Sequence, residues 1–380
     1  MDVALVGGRV LTGRGVEEGL AVGLEGDRIA FLAPAADLPV GVRRIDLAGG
    51  LLLPGFIDIQ VNGGGGVLFN DSATSEAVAA IGAAHRRFGT TGFLPTLISD
   101  ELAVVAAAKA AVCEAIRLGT PGVLGVHIEG PFLNTERKGI HEAHMLRPLD
   151  AAGMAVLTAP GCGRTLVTLA PEIAGPEMIA VLAAAGVIVA GGHTNATYAQ
   201  ALAGVDAGMT GFTHLFNAMS PLTSRAPGVV GAALTDPRSW CGIIVDGRHV
   251  DPVVLRLALK CRPLDRFILV TDAMPSVGSN LSTFTLQDKV ITVRDGACFD
   301  ANGRLAGSNL DMAWALRNAI DLLGVSLAEA SVMASGAPAD FLGLGHELGR
   351  IATGFKADLV LLDDTLEVHE TWIGGRTLDD

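Results

Sequence analysis

The sequence has none of the patterns typical of a disulfide-rich, membrane-spanning or nucleic-acid-binding protein. It contains only five cysteines, which are scattered and form no Cys-x-x-Cys pair, so we expect reduced thiols in a cytoplasmic protein. No apolar run reaches about 18 uninterrupted residues, so we expect no transmembrane helix. Acidic residues outnumber basic ones, and the net charge of −13 disfavours nucleic acid or an anionic membrane as a partner.

The chain also lacks the marks of a leader or a low-complexity sequence. Residues 1–9 contain an early acid and a Gly-Gly turn, so we expect neither a signal peptide nor an anchor. The 49 glycines follow no period, which excludes a collagen-like chain. Half of the 380 residues are hydrophobic, enough for one large α/β domain with a smaller one, or for two ordinary domains.

The middle of the chain alternates strand-like and helix-like segments. Short apolar runs of this kind are typical of buried parallel strands. Eight of them, separated in several places by helical patterns, predict a (β/α)8 TIM-like barrel. The predicted strands are residues 55–60, 92–97, 123–129, 165–171, 187–193, 211–216, 240–246 and 267–272. The helix-like stretches include residues 76–88, 101–118, 176–185, 197–207 and 251–260.

Both ends of the chain contain short β-like runs broken by turns. Neither end has enough strands to bury a face alone, so we expect residues 1–52 and 350–380 to form one small β-sandwich domain. Residues 53–349 would then form the barrel, with a β-hairpin inserted near 283–299 after the eighth strand and a last helix near 311–323.

Four predicted barrel strands end in ionisable side chains. Because parallel strands of a barrel end at the same face, these side chains should converge there. Taken alone, a buried glutamate such as Glu129 is more often an ion-paired residue than a ligand, and each of the two histidines is more often a hydrogen-bonded core or surface residue. Together they match what a metal hydrolase needs, since a carboxylate and two imidazoles can hold one cation while a further carboxylate moves a proton. The four residues are Glu129, His193, His214 and Asp272.

Other polar residues near predicted strand ends leave alternatives open. His141 lies in a polar loop after the Glu129 strand and could reach the cation, but His144 is close by and the sequence does not separate them. Arg225, Arg248 and His249 follow the sixth and seventh strands, where TIM barrels often bind phosphate. An arginine fork suits a phosphate, although a simply solvated arginine fits the same pattern.

Three other histidines and the first predicted strand are less informative. For His85, His346 and His369 we expect no role beyond structure. Gln60 and Asn62 stand where a His-x-His pair would supply two metal ligands. Both are weaker ligands than imidazole for a cation such as zinc.

These segments in order resemble the amidohydrolase superfamily and, within it, the N-acetylglucosamine-6-phosphate deacetylase family. The resemblance runs from about residue 50 to 363, and no single motif would suffice for it. The segments are residues 54–63, 127–132, 192–196, 213–219, 246–249, 270–273, 305–308 and 349–363.

The resemblance implies a mononuclear metal enzyme. Glu129, His193 and His214 would bind one divalent ion, with zinc expected first and iron(II), manganese or cobalt as alternatives. Asp272 would act as general base and then as general acid, and His141 would face the substrate carbonyl. In place of the superfamily's His-x-His pair the chain has Gln60 and Asn62, at most remnants of a second site. Nor does the fourth strand end in the lysine that a bridging carbamate needs.

The resemblance also implies the substrate and its contacts. The reaction would be hydrolysis of N-acetyl-D-glucosamine 6-phosphate to D-glucosamine 6-phosphate and acetate, in amino-sugar catabolism or recycling. In some family members a neighbouring subunit contacts the phosphate, so a homodimer is expected. The implied phosphate contacts are Asn217, Ala218, Arg225 and His249. The other implied substrate contacts are Ile140 and the acetyl-pocket residues Leu305, Ala306 and Gly307.

Two alternatives remain at this stage. A related amidohydrolase could act on another acylated sugar phosphate, such as N-acetylgalactosamine 6-phosphate, or on a cyclic amide. A catalytically silent sugar-phosphate binder belongs to a different class. It is disfavoured because a binder needs neither a metal nor a base.

Overall fold

A computed structural model describes residues 3–378 as a parallel β-barrel flanked by helices and small antiparallel sheets. The strands are, in chain order, β1 Val3–Val6, β2 Arg9–Thr12, β3 Gly15–Glu18, β4 Leu20–Glu25, β5 Arg28–Pro34, β6 Arg44–Asp46, β7 Leu51–Pro54, β8 Phe56–Val61, β9 Gly63–Gly64, β10 Val67–Leu68, β11 Thr90–Ile98, β12 Gly125–Glu129, β13 Arg164–Leu169, β14 Ile188–Gly191, β15 Gly211–Phe212, β16 Trp240–Ile243, β17 Phe267–Leu269, β18 Thr283–Leu286, β19 Lys289–Arg294, β20 Ala297–Phe299, β21 Leu305–Ser308, β22 Leu359–Leu362 and β23 Val368–Trp372.

Most helices lie between successive barrel strands. The α-helices are α1 Ser75–Arg86, α2 Leu102–Arg117, α3 Ala151–Thr158, α4 Pro171–Ala174, α5 Pro176–Ala184, α6 Tyr198–Asp206, α7 Gly228–Thr235, α8 Pro252–Leu259, α9 Met312–Asn318, α10 Leu327–Ser331 and α11 Ala337–Phe341. Short 3-10 turns are Ala35–Asp37, Thr135–Arg137, Ala143–Met145 and Leu264–Arg266, and π-helical turns are Ala319–Leu323 and Val332–Gly336.

The predicted barrel is confirmed. Within the described residues, β8 and β11 to β17 pair in sequence order, all in parallel. The strands read as apolar runs because they are covered on both sides, and all nine residues of β11 are buried. The first and last strands approach beyond the end of β17, where the Asp272 amide donates to the Gln60 carbonyl at 3.0 Å. This closure brings the ends of β8 and β17 together.

The two ends of the chain combine into two further sheets. One has the order β5-β4-β1-β6 and the other β23-β22-β7-β2-β3, so the second contains strands from both termini. Leu5, Val22, Leu52, Leu359 and Trp372 belong to one buried cluster shared by the sheets. Strand β7 crosses the predicted boundary at residues 52 and 53, and the domain division itself stays a prediction.

The insertion after the last barrel strand is larger than the predicted hairpin. Strands β18 to β21 form a four-stranded antiparallel sheet that reaches Ser308. A two-stranded hairpin cannot bury a face efficiently by itself. Here Leu286 and Ile291 of this sheet pack with Ile98, Ile140 and Met274 beside the barrel. We call β18 to β21 the inserted sheet.

The expectation of reduced thiols is wrong for one pair of cysteines. Cys113 in α2 and Cys162 before β13 form a disulfide, with their Cα atoms 4.7 Å apart. The two residues are 49 positions apart, so no local pattern in the sequence indicates that they meet. Cys241, Cys261 and Cys298 are free.

Replacing Cys113 by Ser should lower the free energy of unfolding by about 2–4 kcal/mol, because the cross-link restricts the unfolded chain. Urea unfolding without reductant measures the change. Cys261→Ser is the matched control, since Cys261 is free and exposed, and it should change stability by less than about 0.5 kcal/mol. Equal stabilities for the two variants would contradict the expectation.

Within residues 3–378, no helix has both the length and the apolar composition needed to cross a bilayer.

Candidate metal and catalytic site

Three of the four ionisable residues at strand ends meet at one point. Glu129 is the last residue of β12, and His193 and His214 follow β14 and β15. Glu129 Oε1 lies 3.0 Å from His193 Nε2 and 2.9 Å from His214 Nε2, and the two nitrogens are 3.1 Å apart. All three side chains are buried. Among the described residues, they form the group whose ligand atoms could hold a metal ion.

The chemistry of these donor atoms fits a cation. His193 Nδ1 lies 2.9 Å from the Arg137 carbonyl oxygen, which can only accept, so Nδ1 carries the proton. In the neutral ring Nε2 is therefore a bare lone pair. That lone pair faces the Glu129 carboxylate, another acceptor, and a positive ion between them would stabilise both. A backbone partner of this kind is also what normally orients a metal-binding imidazole.

The backbone is strained where these side chains turn inward. His193, His214 and Asp272 have φ values of 48°, 32° and 53°, a region that costs a non-glycine residue of the order of 1–3 kcal/mol. Each of them follows the end of a barrel strand. The strain occurs at the positions that direct side chains toward the centre of the barrel face, as expected of a functional site.

Asp272 lies beside the metal-binding group and is held by two amides. Asn62 Nδ2 donates to Asp272 Oδ1 at 2.6 Å, and Gln60 Nε2 donates to the same oxygen at 3.2 Å. Gln60 Nε2 also lies 3.2 Å from Glu129 Oε2. Burial and the Glu129 charge raise the pKa of Asp272 to about 6. The carboxyl group is therefore placed to exchange a proton near neutral pH.

His141 faces the same space as a neutral hydrogen-bond donor. The Ser99 amide donates to His141 Nδ1 at 3.3 Å, and Ser99 Oγ lies 2.7 Å from it. Since Nδ1 accepts, the ring proton of neutral His141 is on Nε2. Burial holds the pKa of His141 well below its usual range. His144, the alternative left open by the sequence, is exposed.

A cavity of about 300 Å³ opens onto these groups. It lies at the carboxyl ends of the barrel strands, where TIM barrels place their active sites. A larger cleft of about 1300 Å³ is lined by Thr91, Val123 and Arg164, at the starts of strands. The smaller cavity is the candidate functional site, because the strand ends and the candidate metal-binding group meet there. Its lining includes Glu129, His141, His193, His214 and Asp272.

Comparison with known proteins agrees with this geometry. The model of the amidohydrolase family matches residues 51–378.

The chain belongs to the amidohydrolase family.

Its relatives include two sugar-phosphate deacetylases. The chain is 42% identical to N-acetylgalactosamine-6-phosphate deacetylase of Shewanella sp. (strain ANA-3), over 98% of this chain and 95% of the relative. It is 36% identical to N-acetylglucosamine-6-phosphate deacetylase of Haemophilus influenzae, over 99% of each chain. The crystal structure of N-acetylglucosamine-6-phosphate deacetylase from Pasteurella multocida superposes with a TM-score of 0.96 at 36% identity, covering 99% of each chain.

Most of the predicted substrate contacts of this amidohydrolase line the cavity. His249 is oriented by Asp246, whose Oδ2 lies 2.6 Å from His249 Nδ1. Burial alone would raise the pKa of Asp246, but the hydrogen bond from His249 lowers it overall. The predicted contacts found in the lining are Ile140, Asn217, Ala218, His249, Leu305 and Gly307.

Arg225 and Ala306 lie outside the cavity lining. Side chains alternate along a strand, so in β21 Leu305 and Gly307 face the cavity while Ala306 joins the buried cluster of the inserted sheet. Arg225 lies in the exposed segment 221–227, away from the end of its strand. Arg248 is exposed as well. Whether Ala306 faces the cavity depends on the orientation of β21, and whether Arg225 and Arg248 reach it depends on the path of their loops.

Two buried residues of the amidohydrolase site were not identified from the sequence. Asp58 accepts from Thr271 Oγ1 at 2.5 Å and from the Gln60 amide at 3.2 Å, and so joins β8 to the chain beside Asp272. Burial raises the pKa of Asp58 to about 7. The signal available in the sequence was that Asp58, Gln60 and Asn62 occupy every second position, which in a strand places them on one face. Ser99 lies 42 residues from His141, and no pattern in the sequence indicates their contact.

Three further histidines, His85, His346 and His369, fit structural or solvent-exposed positions in this amidohydrolase. His85 is buried in α1, and its Nε2 donates to the Gly63 carbonyl at 2.9 Å. His346 and His369 are exposed. None of the three lines the cavity.

Proposed function

We propose that this amidohydrolase hydrolyses the N-acetyl amide of N-acetyl-D-glucosamine 6-phosphate to D-glucosamine 6-phosphate and acetate, in amino-sugar catabolism or recycling. The observation that carries the proposal is the grouping of Glu129, His193 and His214 with Asp272 and neutral His141 around one cavity. The names of the Haemophilus influenzae and Pasteurella multocida relatives support the substrate.

Glu129, His193 and His214 would hold one divalent ion, and we propose zinc. Three protein ligands of nitrogen and oxygen type are what catalytic zinc sites use, with a further position left open. The bound ion would supply an acidified water and polarisation of the amide carbonyl. Gln60 and Asn62 direct their amide nitrogens at carboxylates, which favours a mononuclear site.

Asp272 would carry the proton from water to the leaving amine. With its pKa raised to about 6, Asp272 is largely ionised at neutral pH and can accept the proton of the attacking water. The protonated carboxyl then donates to the amine nitrogen as the C–N bond breaks. Asn62 and Gln60 fix the acceptor oxygen through their amide groups.

His141 would stabilise the negative charge that develops on the carbonyl oxygen. Its Nε2–H is the free donor of the ring, because Nδ1 accepts from the Ser99 amide. A fixed donor at the developing oxyanion lowers the barrier without reorganisation during the reaction.

The phosphate would lie toward His249, Asn217 and Ala218, which line the cavity. We also propose a homodimer in which Arg225 contacts the phosphate bound by the neighbouring subunit. Arg225 is exposed and does not line the cavity of its own chain, and its planar fork suits a phosphate. We propose a cytoplasmic location as well; a charged phosphate ester does not cross a bilayer readily, so the enzyme and its substrate must share one compartment.

Acetate release from N-acetylglucosamine 6-phosphate is the direct test. Purified protein is stripped of metal and reloaded with zinc, iron(II), manganese or cobalt, with unphosphorylated N-acetylglucosamine assayed alongside. We expect metal-dependent turnover with kcat/KM at least about 100-fold higher for the phosphorylated sugar, because charge-assisted contacts to phosphate are each worth about 1.5–3 kcal/mol. Equal rates on both sugars would contradict the phosphate contacts, and no turnover of either would contradict the activity.

N-acetylgalactosamine 6-phosphate is a second candidate substrate. The observation that favours it is the 42% identity to the Shewanella enzyme named for that sugar. The two sugars differ only in configuration at C4, so the ratio of their kcat/KM values decides between them. A ratio above about 10 in favour of the galactosamine compound would reverse the order of the candidates, since it corresponds to about 1.4 kcal/mol of discrimination.

A further inference from the structure

The loop that carries His141 has no regular secondary structure between the 3-10 turns at Thr135–Arg137 and Ala143–Met145. Its carbonyl oxygens are nevertheless all bound between Gly139 and His141. Arg304 Nη1 donates to the Gly139 carbonyl at 3.0 Å, Lys289 Nζ to the Ile140 carbonyl at 3.1 Å, and Lys138 Nζ to the His141 carbonyl at 3.0 Å. The position of the loop is therefore set by cationic side chains.

Two of these cations come from the inserted sheet: Lys289, and Arg304 directly before its last strand, β21. Lys289 begins β19, and it also forms an ion pair with Glu142. Both charged groups are less than one third exposed, so solvent screens this ion pair less than it screens an exposed one. Ile140 packs against Leu286 and Ile291 of the same sheet. Polar and apolar contacts thus fix the loop to one rigid element.

The turn between β18 and β19 also contacts Ser99, whose amide donates to His141 Nδ1. Gln287 Nε2 donates to the Ser99 carbonyl at 3.1 Å, and Ser99 holds the His141 ring through its amide and hydroxyl groups. Gln287 has a φ of 53°. Gln287 in this turn contacts Ser99, the residue that sets the tautomer of His141, and Lys289, two positions later at the start of β19, contacts the loop that carries His141.

We propose that Lys289 is a positioning residue for catalysis, which acts with Gln287 to hold His141 against the reacting carbonyl. Neither residue lines the cavity, so neither contacts the substrate directly. The role assigned to His141 rests on the proposed deacetylase function. A misplacement of about 1 Å at such a donor can cost up to about 100-fold in rate. Lys289 therefore affects the rate although it does not contact the substrate.

A double-mutant cycle between Lys289 and His141 tests the kinetic part. Lys289→Met should lower kcat by about 10-fold with KM changed by less than about 3-fold, because His141 acts mainly on the transition state. In a His141→Gln background the same change should cost less than about 2-fold, since coupled residues are not additive. Equal fold losses in both backgrounds would overturn the proposal.

Matched variants separate positioning from general destabilisation. Lys289→Arg keeps a donor and a charge, and it should restore kcat to within about 3-fold of the parent. Lys260→Met removes the same charge at an exposed site outside the cavity, and it should leave kcat unchanged. Gln287→Asn keeps a residue that tolerates positive φ but is too short to reach Ser99, so it should lower kcat even if Lys289→Met fails to fold.

Hydrogen exchange of the loop tests the same proposal without any substrate. In the full-length protein, Lys289→Met should speed amide exchange in peptides covering residues 138–142 by at least about 5-fold, and Lys260→Met should not change it. Faster exchange with no turnover of either sugar would support the positioning role of Lys289 and refute the proposed function. Unchanged exchange in Lys289→Met and Gln287→Asn would overturn the positioning role whatever the substrate.

Discussion

Replacing Asp272 by Asn should lower kcat by about 1000-fold, within the range of 10²–10⁴ that general acid–base groups contribute. The amide is nearly isosteric and can still accept from Asn62 and Gln60, which lie 2.6 and 3.2 Å from the carboxylate. It cannot take up a proton from water. Asp272 is outside the metal-binding group, so metal content, measured by elemental analysis, should be unchanged.

The control for this variant is Asp321→Asn, an identical change at an exposed residue, which should leave kcat within about 2-fold. An Asp272→Asn enzyme that keeps a tenth of the parent rate would refute the assignment of Asp272 as general base. The pH profile gives a second check. Since the base must be ionised, the rate should fall on acidification through a pKa at or below the value of about 6, because a bound cation lowers the pKa of a nearby carboxyl.

Replacing Glu129 by Gln should remove the metal and with it the activity. Removing a partner of a metal ligand already costs about 10- to 100-fold in affinity, so loss of the ligand itself should weaken binding by more than about 100-fold. Glu129 Oε1 faces both imidazoles at about 3 Å, and a neutral amide offers a weaker oxygen. Competition with a chelator measures the affinity.

The matched control is Glu177→Gln, in the first turn of α5 and exposed. It should bind metal as the parent does. Parent-like affinity in Glu129→Gln would show that the ion is held elsewhere. Loss of the metal without loss of activity would instead contradict a role for the ion in catalysis. The Asp272 and Glu129 variants together separate proton transfer from metal binding, since only the second should change metal content.

The candidate metal-binding group and His141 differ in the part of the fold that positions them. The barrel positions Glu129, His193 and His214 at or just after the ends of parallel strands. His141 is not at a strand end and has no such support. Its orientation depends on Ser99 and on the side chains of the inserted sheet. The proposed metal ligands and the proposed oxyanion donor are therefore positioned by different parts of the fold.

The sequence alone determined the strands and the residues at their ends. Most residues of the barrel strands are buried, so these strands appear in the sequence as short, mainly apolar runs. Parallel strands in a barrel have their carboxyl ends at one face, so Glu129, His193, His214 and Asp272 could be placed together before any contact was known. The pairing of the two chain ends followed in the same way, from the need to bury a sheet face.

The tertiary structure alone decided the contacts that depend on barrel closure, loop path and side-chain direction. Asn62 reaches Asp272 across 210 positions of sequence because the first and last strands meet. The tautomer of His141 depends on Ser99, and the disulfide joins Cys113 to Cys162. Local periodicity records whether a residue is buried, but it holds no information on which distant residue it contacts. That information arises only when the chain closes on itself.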